Sequence, residues 1–335
     1  MKDEKILAAH GGGGALTRQL VEEIFLPAFA NDMLLEMGDS ALFELGGQRL
    51  ALTTDSFVVR PLFFPGGDIG RLAVCGTVND LAVSGAKPLY LSVGMIIEEG
   101  FAIDDLRKIT ASMSASAAEA GVKIITGDTK VVGRGQADGL YINTSGVGLL
   151  PPERKAAERP PAPGDFILLN GNIAEHGLAV MAAREGLTLN QAVLSDVAPL
   201  NGLIGALCEN CRVLAMRDPT RGGVAASLNE WAQKYHVGIE IEERQLPISK
   251  EARALSEILG LDPLVIANEG KFLSLMPESD APAALELMKK HLLGKNSAVI
   301  GKISAQYPGK VSLRTLCGGL RLVEMPSGEI LPRIC

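Results

Sequence analysis

The stretch "DIGRLAVCGTVNDLAVSGAKPLYLSVGMII", residues 68–97, decides the fold class. Its first half is apolar on nearly every side at helical spacing, the mark of a helix with no face left for water. Its second half is a short apolar run rich in branched residues, the mark of a buried strand. A buried helix feeding a buried strand predicts mixed layers of helix on sheet. The same alternation continues outward. Upstream, "ALTRQLVEEIFLPAFA" (15–30) places Leu16, Leu20, Ile24 and Ala28 on one helical stripe, and "RLALTTDSFVV" (49–59) reads as a strand. Downstream, "DDLRKITASMSASAAEAG" (104–121) reads as a helix opened by an Asp cap, and "VKIITGDT" (122–129) and "LYINTSGVGLL" (140–150) as strands.

The clearest break is "PPERKAAERPPAPGD" (151–165), whose five prolines sit among charges. Proline continues neither a helix nor a central strand. Beyond it the mixture repeats, with "DFILLNG" (165–171), the helix "AEHGLAVMAARE" (174–185), and the helix "TRGGVAASLNEWAQKYH" (220–236) feeding the strand "VGIEIE" (237–242). The expectation is two α/β domains, residues 1–155 and 160–322, followed by a mobile tail, 323–335. The length of 335 residues suits about two domains.

Composition excludes several classes. Hydrophobic residues at 47% and charged residues at 21% provide for sizeable cores and argue against disorder. A net charge of −7 argues against a nucleic-acid surface or an anionic membrane surface as partner. Anionic substrates then need local devices: a metal ion, a lysine or backbone N–H groups. "MKDEKILAAHGGGG" lacks the apolar region of a secretory signal, and no uncharged run is long enough to span a membrane. Five cysteines without framework spacing read as reduced thiols. A cytoplasmic protein is expected.

Carboxylates recur at strand edges: Asp39 in "MGDSALF", Asp55 in "LTTDS", Asp128 in "ITGDT" and Asp218 in "MRDPTRGG". Any one of them, taken alone, reads first as a helix cap or an Asx turn. Asp80 differs, because it shares the stripe of Ile69, Ala73, Gly76 and Val83 within the buried helix. A buried carboxylate needs a partner, hydrogen bonds or a metal. Taken as a set, these acids suggest a hard-cation site of the kind Mg²⁺ shares with phosphates.

"HGGGGALTRQL" has neither the Lys-Ser/Thr of a phosphate loop nor the spacing of a dinucleotide fingerprint. It is either a flexible lead-in to the helix near Ala15 or a nest of N–H groups for an anion. Lys130 in "GDTKVV" can neutralise a phosphoryl oxygen or simply be solvated. Glu269 in "NEGKF" can be a general base or a turn residue. "CENC" (208–211) is one pair where a zinc site needs two, and it reads as small apolar residues on a helix face. The chain closes on Cys335, on an arm that from Gly328 can reach roughly 25 Å at ~3.3 Å per residue.

Together, "HGGGG" (10–14), "PLFFPGGDIGRLAVCGTVNDLAVSGAKPLY" (61–90), "TGDTKVV" (126–132), "DPTRGGV" (218–224), "NEGK" (268–271) and "PRIC" (332–335) resemble the HypE family of hydrogenase maturation proteins. That family belongs to the aminoimidazole ribonucleotide synthetase (PurM-like) superfamily. The resemblance implies two mixed α/β domains (α+β, PurM-like) whose N-terminal sheets pair across a homodimer. It implies ATP and Mg²⁺ as cofactors, a HypF-like carbamoyltransferase that loads Cys335, and a HypC–HypD complex that receives cyanide. It also implies Cys335, Lys130 and Glu269 as catalytic residues. Asp39, Asp55, Asp80 and Asp218 would bind metal, and Gly12, Gly13, Thr54, Asn79, Gly127 and Asp128 would bind the nucleotide. Relatives often carry a paired acid where this chain has Asp39-Ser40, which bears on the number of metal ions. The competing expectations are a selenophosphate-synthetase-like enzyme, a carrier without catalysis, and a metallochaperone built on "CENC".

Overall fold

The computed structural model describes residues 5–152, 159–187, 191–327, 331 and 333–335. The centre of the proline-rich break, residues 153–158, and Gly328, Glu329, Ile330 and Pro332 of the tail lie outside the described residues, as do residues 1–4.

Both halves are helix-on-sheet. The first contains β1 (Ala41–Leu45), β2 (Gln48–Phe57), the short hairpin β3 (Phe63–Phe64) and β4 (Gly67–Asp68), then β5 (Lys87–Glu98), β6 (Lys123–Val132) and β7 (Leu140–Leu149). Its five-stranded sheet runs β1-β2-β7-β5-β6, antiparallel except for the parallel β5–β6 pair at one edge. Parallel neighbours need a crossover, and the Ile103–Ala120 helix provides it. The second half contains β8 (Phe166–Leu169), β9 (Ala215–Arg217), β10 (Gly238–Glu242), β11 (Leu273–Met276), β12 (Ala298–Ser304), β13 (Val311–Arg314) and β14 (Leu320–Val323). These form a mixed seven-stranded sheet in the order β14-β13-β10-β12-β8-β11-β9.

The Ile69–Val83 helix is buried along 13 of its residues, as its all-round apolar sequence requires. Its start is fixed by Asp68, whose carboxylate accepts from the N–H groups of Gly70 (2.7 Å) and Arg71 (3.1 Å). Within this helix Leu72, Val74 and Val78 are fully buried in the first core, each contributing roughly 1.5–3 kcal/mol by leaving water. The helix also joins the halves, because Ala82 and Val83 pack with Leu168, Leu200 and Leu203 from the second.

One expectation is corrected. The Ile103–Ala120 helix is not opened by an Asp cap, since its N-cap is Ala102, which makes no side-chain bond. Asp104 and Asp105 lie in the first turn, paired with Arg107 (2.9 Å) and Lys108 (2.8 Å). Negative charge there complements the helix dipole without capping it. Three further helices complete the second half: Asn201–Asn210, Lys250–Leu259 and Ala281–Lys290. Cys208 lies in the first of these and Cys211 just beyond its end, and both pack against a core cluster. Among the described residues, no helix is long and apolar enough to cross a membrane.

Candidate active site

Asp55 enters the site from β2, Asp39 from just before β1, Asp80 from the last turn of the buried helix and Asp218 from just after β9. Glu269 comes from the segment leading to β11. These five acids line one cavity of about 500 Å³, together with Gly13, Thr54, Arg217, Arg221 and Cys335. Residues far apart in sequence therefore meet at the seam between the two halves.

The electrostatics are those of acids crowded without enough countercharge. Burial pushes the Asp80 carboxyl well above its ordinary range, and Asp218, Asp39 and Asp55 push it further. A hydrogen bond from the Thr53 hydroxyl to Asp80 (2.8 Å) opposes this. Asp218 is pushed up to about 8 by burial and then by Asp39, against the pull of Arg217. Burial also raises Asp39 and Asp55, opposed by Arg217 and Arg221 respectively. Glu269 is 3% exposed and raised well above its ordinary value by burial, then by Asp218 and Asp55. Arg217 bonds Glu230 (2.9 Å) and Asp39 (3.3 Å). Among the described residues no three His, Cys, Asp or Glu side chains stand close enough to chelate a metal by themselves.

The thiol of Cys335 lies in the same cavity, with the tail docked against the protein. The Val58 N–H donates to a main-chain carboxylate oxygen of Cys335 (3.0 Å) and the Arg60 N–H to the Arg333 carbonyl (3.3 Å). Burial pushes the Cys335 thiol up to about 12, and Arg221 opposes that shift. Arg221 shares the cavity with the thiol, whereas Arg333 turns away to Asp138 and the ring of Tyr141. Arg221 and Arg217 were missed as functional candidates although they flank Asp218 in "MRDPTRGG". Their spacing around Asp218 was the available signal.

The glycine run crosses close to both Arg221 and the tail. Gly13 has a positive φ of 75°, and a Cβ there would collide with the Arg221 side chain and backbone. Gly14 lies against the Pro326 carbonyl, and the Ala15 N–H donates to that same carbonyl (3.1 Å). Gly13 and Gly14 thus form a close-packed crossing, whereas a Cβ at Gly11 would meet open space. Gly12 lines a smaller adjoining cavity of about 250 Å³ that also reaches Cys335. Asn79 is buried beneath the site, where its amide donates to the carbonyls of Ala198 and Glu269 (both 3.1 Å) and accepts from the Leu200 N–H (2.8 Å).

Three candidates lie elsewhere in the chain. Gly127, Asp128 and Lys130 are on β6, exposed, with Lys130 paired to Asp128 at 2.7 Å. β6 stands three strands from β2, about 14 Å at ~4.8 Å per strand.

The first half matches the family model for the AIR synthase related protein N-terminal domain over residues 37–150, and the second matches its C-terminal counterpart over 162–314. The chain is 48% identical over 339 residues to the carbamoyl dehydratase HypE of Rhodobacter capsulatus, covering 100% of this chain and 99% of that protein. A chain of the crystal structure of a HypE-HypF complex superposes with a TM-score of 0.86 at 48% identity, covering 92% of this chain and 99% of that one. The crystal structure of hydrogenase maturation protein HypE in complex with ATP gives 0.82 at 43% identity, over 99% of this chain and 100% of that one. With this likeness along its whole length, the chain belongs to the HypE family of the PurM-like superfamily.

Proposed function

We propose that the protein is a hydrogenase maturation enzyme that uses ATP to dehydrate an S-carbamoyl group on Cys335 to a thiocyanate. The observation that carries this reading is the Cys335 thiol lining one cavity with Glu269 and four aspartates. A carboxamide oxygen leaves poorly as hydroxide and well as phosphate. The carboxamide oxygen attacks the γ-phosphorus of ATP, ADP departs, and one nitrogen proton is lost. Loss of phosphate with the second nitrogen proton then leaves S–C≡N. The whole reaction consumes ATP and releases ADP and phosphate. Glu269, whose affinity for protons is raised by burial and then by Asp218 and Asp55, would accept the nitrogen protons.

Asp39, Asp55, Asp80 and Asp218 suit Mg²⁺, because hard carboxylate oxygens that repel one another in a buried pocket call for a cation. Bound there, Mg²⁺ would neutralise the phosphates in phosphoryl transfer. Arg221, which lines the same cavity as the thiol, would orient the carbamoyl group.

β6 and its neighbours expose Ile125 (61%), Val131 (68%) and Ile96. An apolar edge of this kind invites pairing with a second copy. A homodimer through it would let Lys130 and Asp128 serve the partner's cavity. A HypF-like carbamoyltransferase would load the thiol, and a HypC–HypD complex would receive the cyanide, all in the cytoplasm.

The deciding experiment is the intact mass of the C-terminal peptide after incubation with the carbamoyltransferase, carbamoyl phosphate and ATP, with and without Mg²⁺. The reading requires a carbamoyl gain on Cys335, then loss of one water only with Mg²⁺–ATP. A carbamoyl group that never loses water makes the protein a carrier, and an unmodified Cys335 beside an active partner sinks the proposal. Cys335→Ser abolishes the gain.

A further inference from the structure

The docked tail is held by a group that none of the chemistry above uses. Ile334 is buried, and its carbonyl lies 2.9 Å from Nε2 of His176, itself fully buried. A carbonyl can only accept, so Nε2 carries the ring hydrogen. Burial lowers the His176 pKa, against the opposing charge of Asp196, which keeps the ring neutral and leaves Nδ1 as an acceptor. Nδ1 lies 2.8 Å from the Ser195 hydroxyl, which therefore donates to it and accepts in turn from the Val197 N–H at 3.2 Å. The bonds run one way, from Val197 through Ser195 and His176 to Ile334. The edge of Phe64 packs on the imidazole at 5.4 Å between centroids, which fixes the ring plane.

The neighbouring residue performs the same service for Glu269. The Asp196 carboxylate accepts from the N–H groups of Glu269 (3.1 Å) and Gly270 (3.2 Å) and pairs with Lys271 at 2.9 Å. Gly270 passes so close to the Asp196 carbonyl that a Cβ would not fit. Two adjacent residues thus hold the two segments whose side chains meet in the cavity.

We infer that His176, Ser195 and Asp196 form a positioning device, with His176 as the latch that seats the chain's own Arg333-Ile334-Cys335 segment and sets its thiol against Glu269. The latch recognises a main-chain carbonyl, so it is indifferent to whether the thiol is free or carries a carbamoyl group. It rests on the dehydratase reading only for its effect on turnover; the seating stands apart from it.

The test is the rate of iodoacetamide labelling of individual cysteines in the full-length protein, read by peptide mass. Cys317 is exposed and Cys75 buried, so they serve as controls for intrinsic reactivity and for unfolding. His176→Leu should speed Cys335 labelling about 10-fold, the loss expected for one buried hydrogen bond. Ser195→Ala should speed it about 3-fold, and His176→Gln, which restores a donor, should return it toward the parent rate. Unchanged Cys335 labelling in both His176→Leu and Ser195→Ala, with Cys75 still protected, overturns the latch. If His176→Leu exposes Cys75, Ser195→Ala and His176→Gln decide the matter by the same criterion. In the coupled assay, His176→Leu should still load carbamoyl yet lose water more slowly, with His176→Gln rescuing it. Should the parent protein itself never lose water, the dehydratase reading fails while the labelling result still decides the latch.

Discussion

Asp55 and Asp128 occupy the same kind of sequence, "TTDS" and "TGDT", on strands of one sheet, yet their environments are opposite. Asp55 on β2 lies against the buried helix among other acids, and burial raises its pKa. Asp128 on β6 is exposed, and its bond to Lys130 lowers its pKa. The motif sets the backbone and the company sets the chemistry. A carboxylate next to like charges in a half-buried pocket is an unmet demand for a cation, whereas one beside a lysine in water is already satisfied and contributes little.

The strongest way to break this contrast is by activity. Asp55→Asn and Lys130→Met should each lower ATP-dependent water loss about 10²-fold or more. If Lys130 serves the partner's cavity, mixing the two inactive variants should restore about a quarter of the activity, because half the dimers are hybrids with one intact site in two. No recovery in subunit-exchanged mixtures would place both residues in one subunit's site. Next, if the proposed dimer forms through β6, Ile125→Glu with Val131→Glu should leave the protein monomeric by light scattering.

Stability separates the two regions more finely. In metal-free protein, Asp80→Asn relieves repulsion and should raise Tm by about 2–4 °C, with Asp128→Asn shifting it by less than ~1 °C. A scan in which both variants shift equally would erase the distinction. The smallest effect concerns pH. Asp218, raised to about 8, keeps a proton in the folded state that the unfolded chain has already released. The unfolded state then binds fewer protons, so stability falls as pH rises from the ordinary aspartate range toward 8. Urea unfolding in EDTA should give a lower midpoint at pH 8 than at pH 6, and Asp218→Asn should flatten that difference.

What was legible in the sequence depended on range. The Ile69–Val83 helix and its strand could be read because local periodicity encodes burial, and Asp80 stood out because a charge interrupted that periodicity. The acids could be suspected as a set. Arg217 and Arg221 were on the page but looked like ordinary charges until the fold brought Asp39 and Cys335 to them. His176 and Ser195 carried no signal at all, since their meaning lies in hydrogen bonds to a carbonyl 158 residues away from His176. Lys130 shows the converse, a residue in a recognisable motif that the fold of one subunit leaves far from the cavity.

Asn79 carries a further consequence. Its buried amide belongs to the first half but is satisfied by the Ala198 and Glu269 carbonyls and the Leu200 N–H of the second. Each half alone would strand one side of that set. Two half-length polypeptides made separately in one cell should therefore find each other and reconstitute a working enzyme, and Asn79→Leu should abolish that complementation while sparing much of the covalently joined protein.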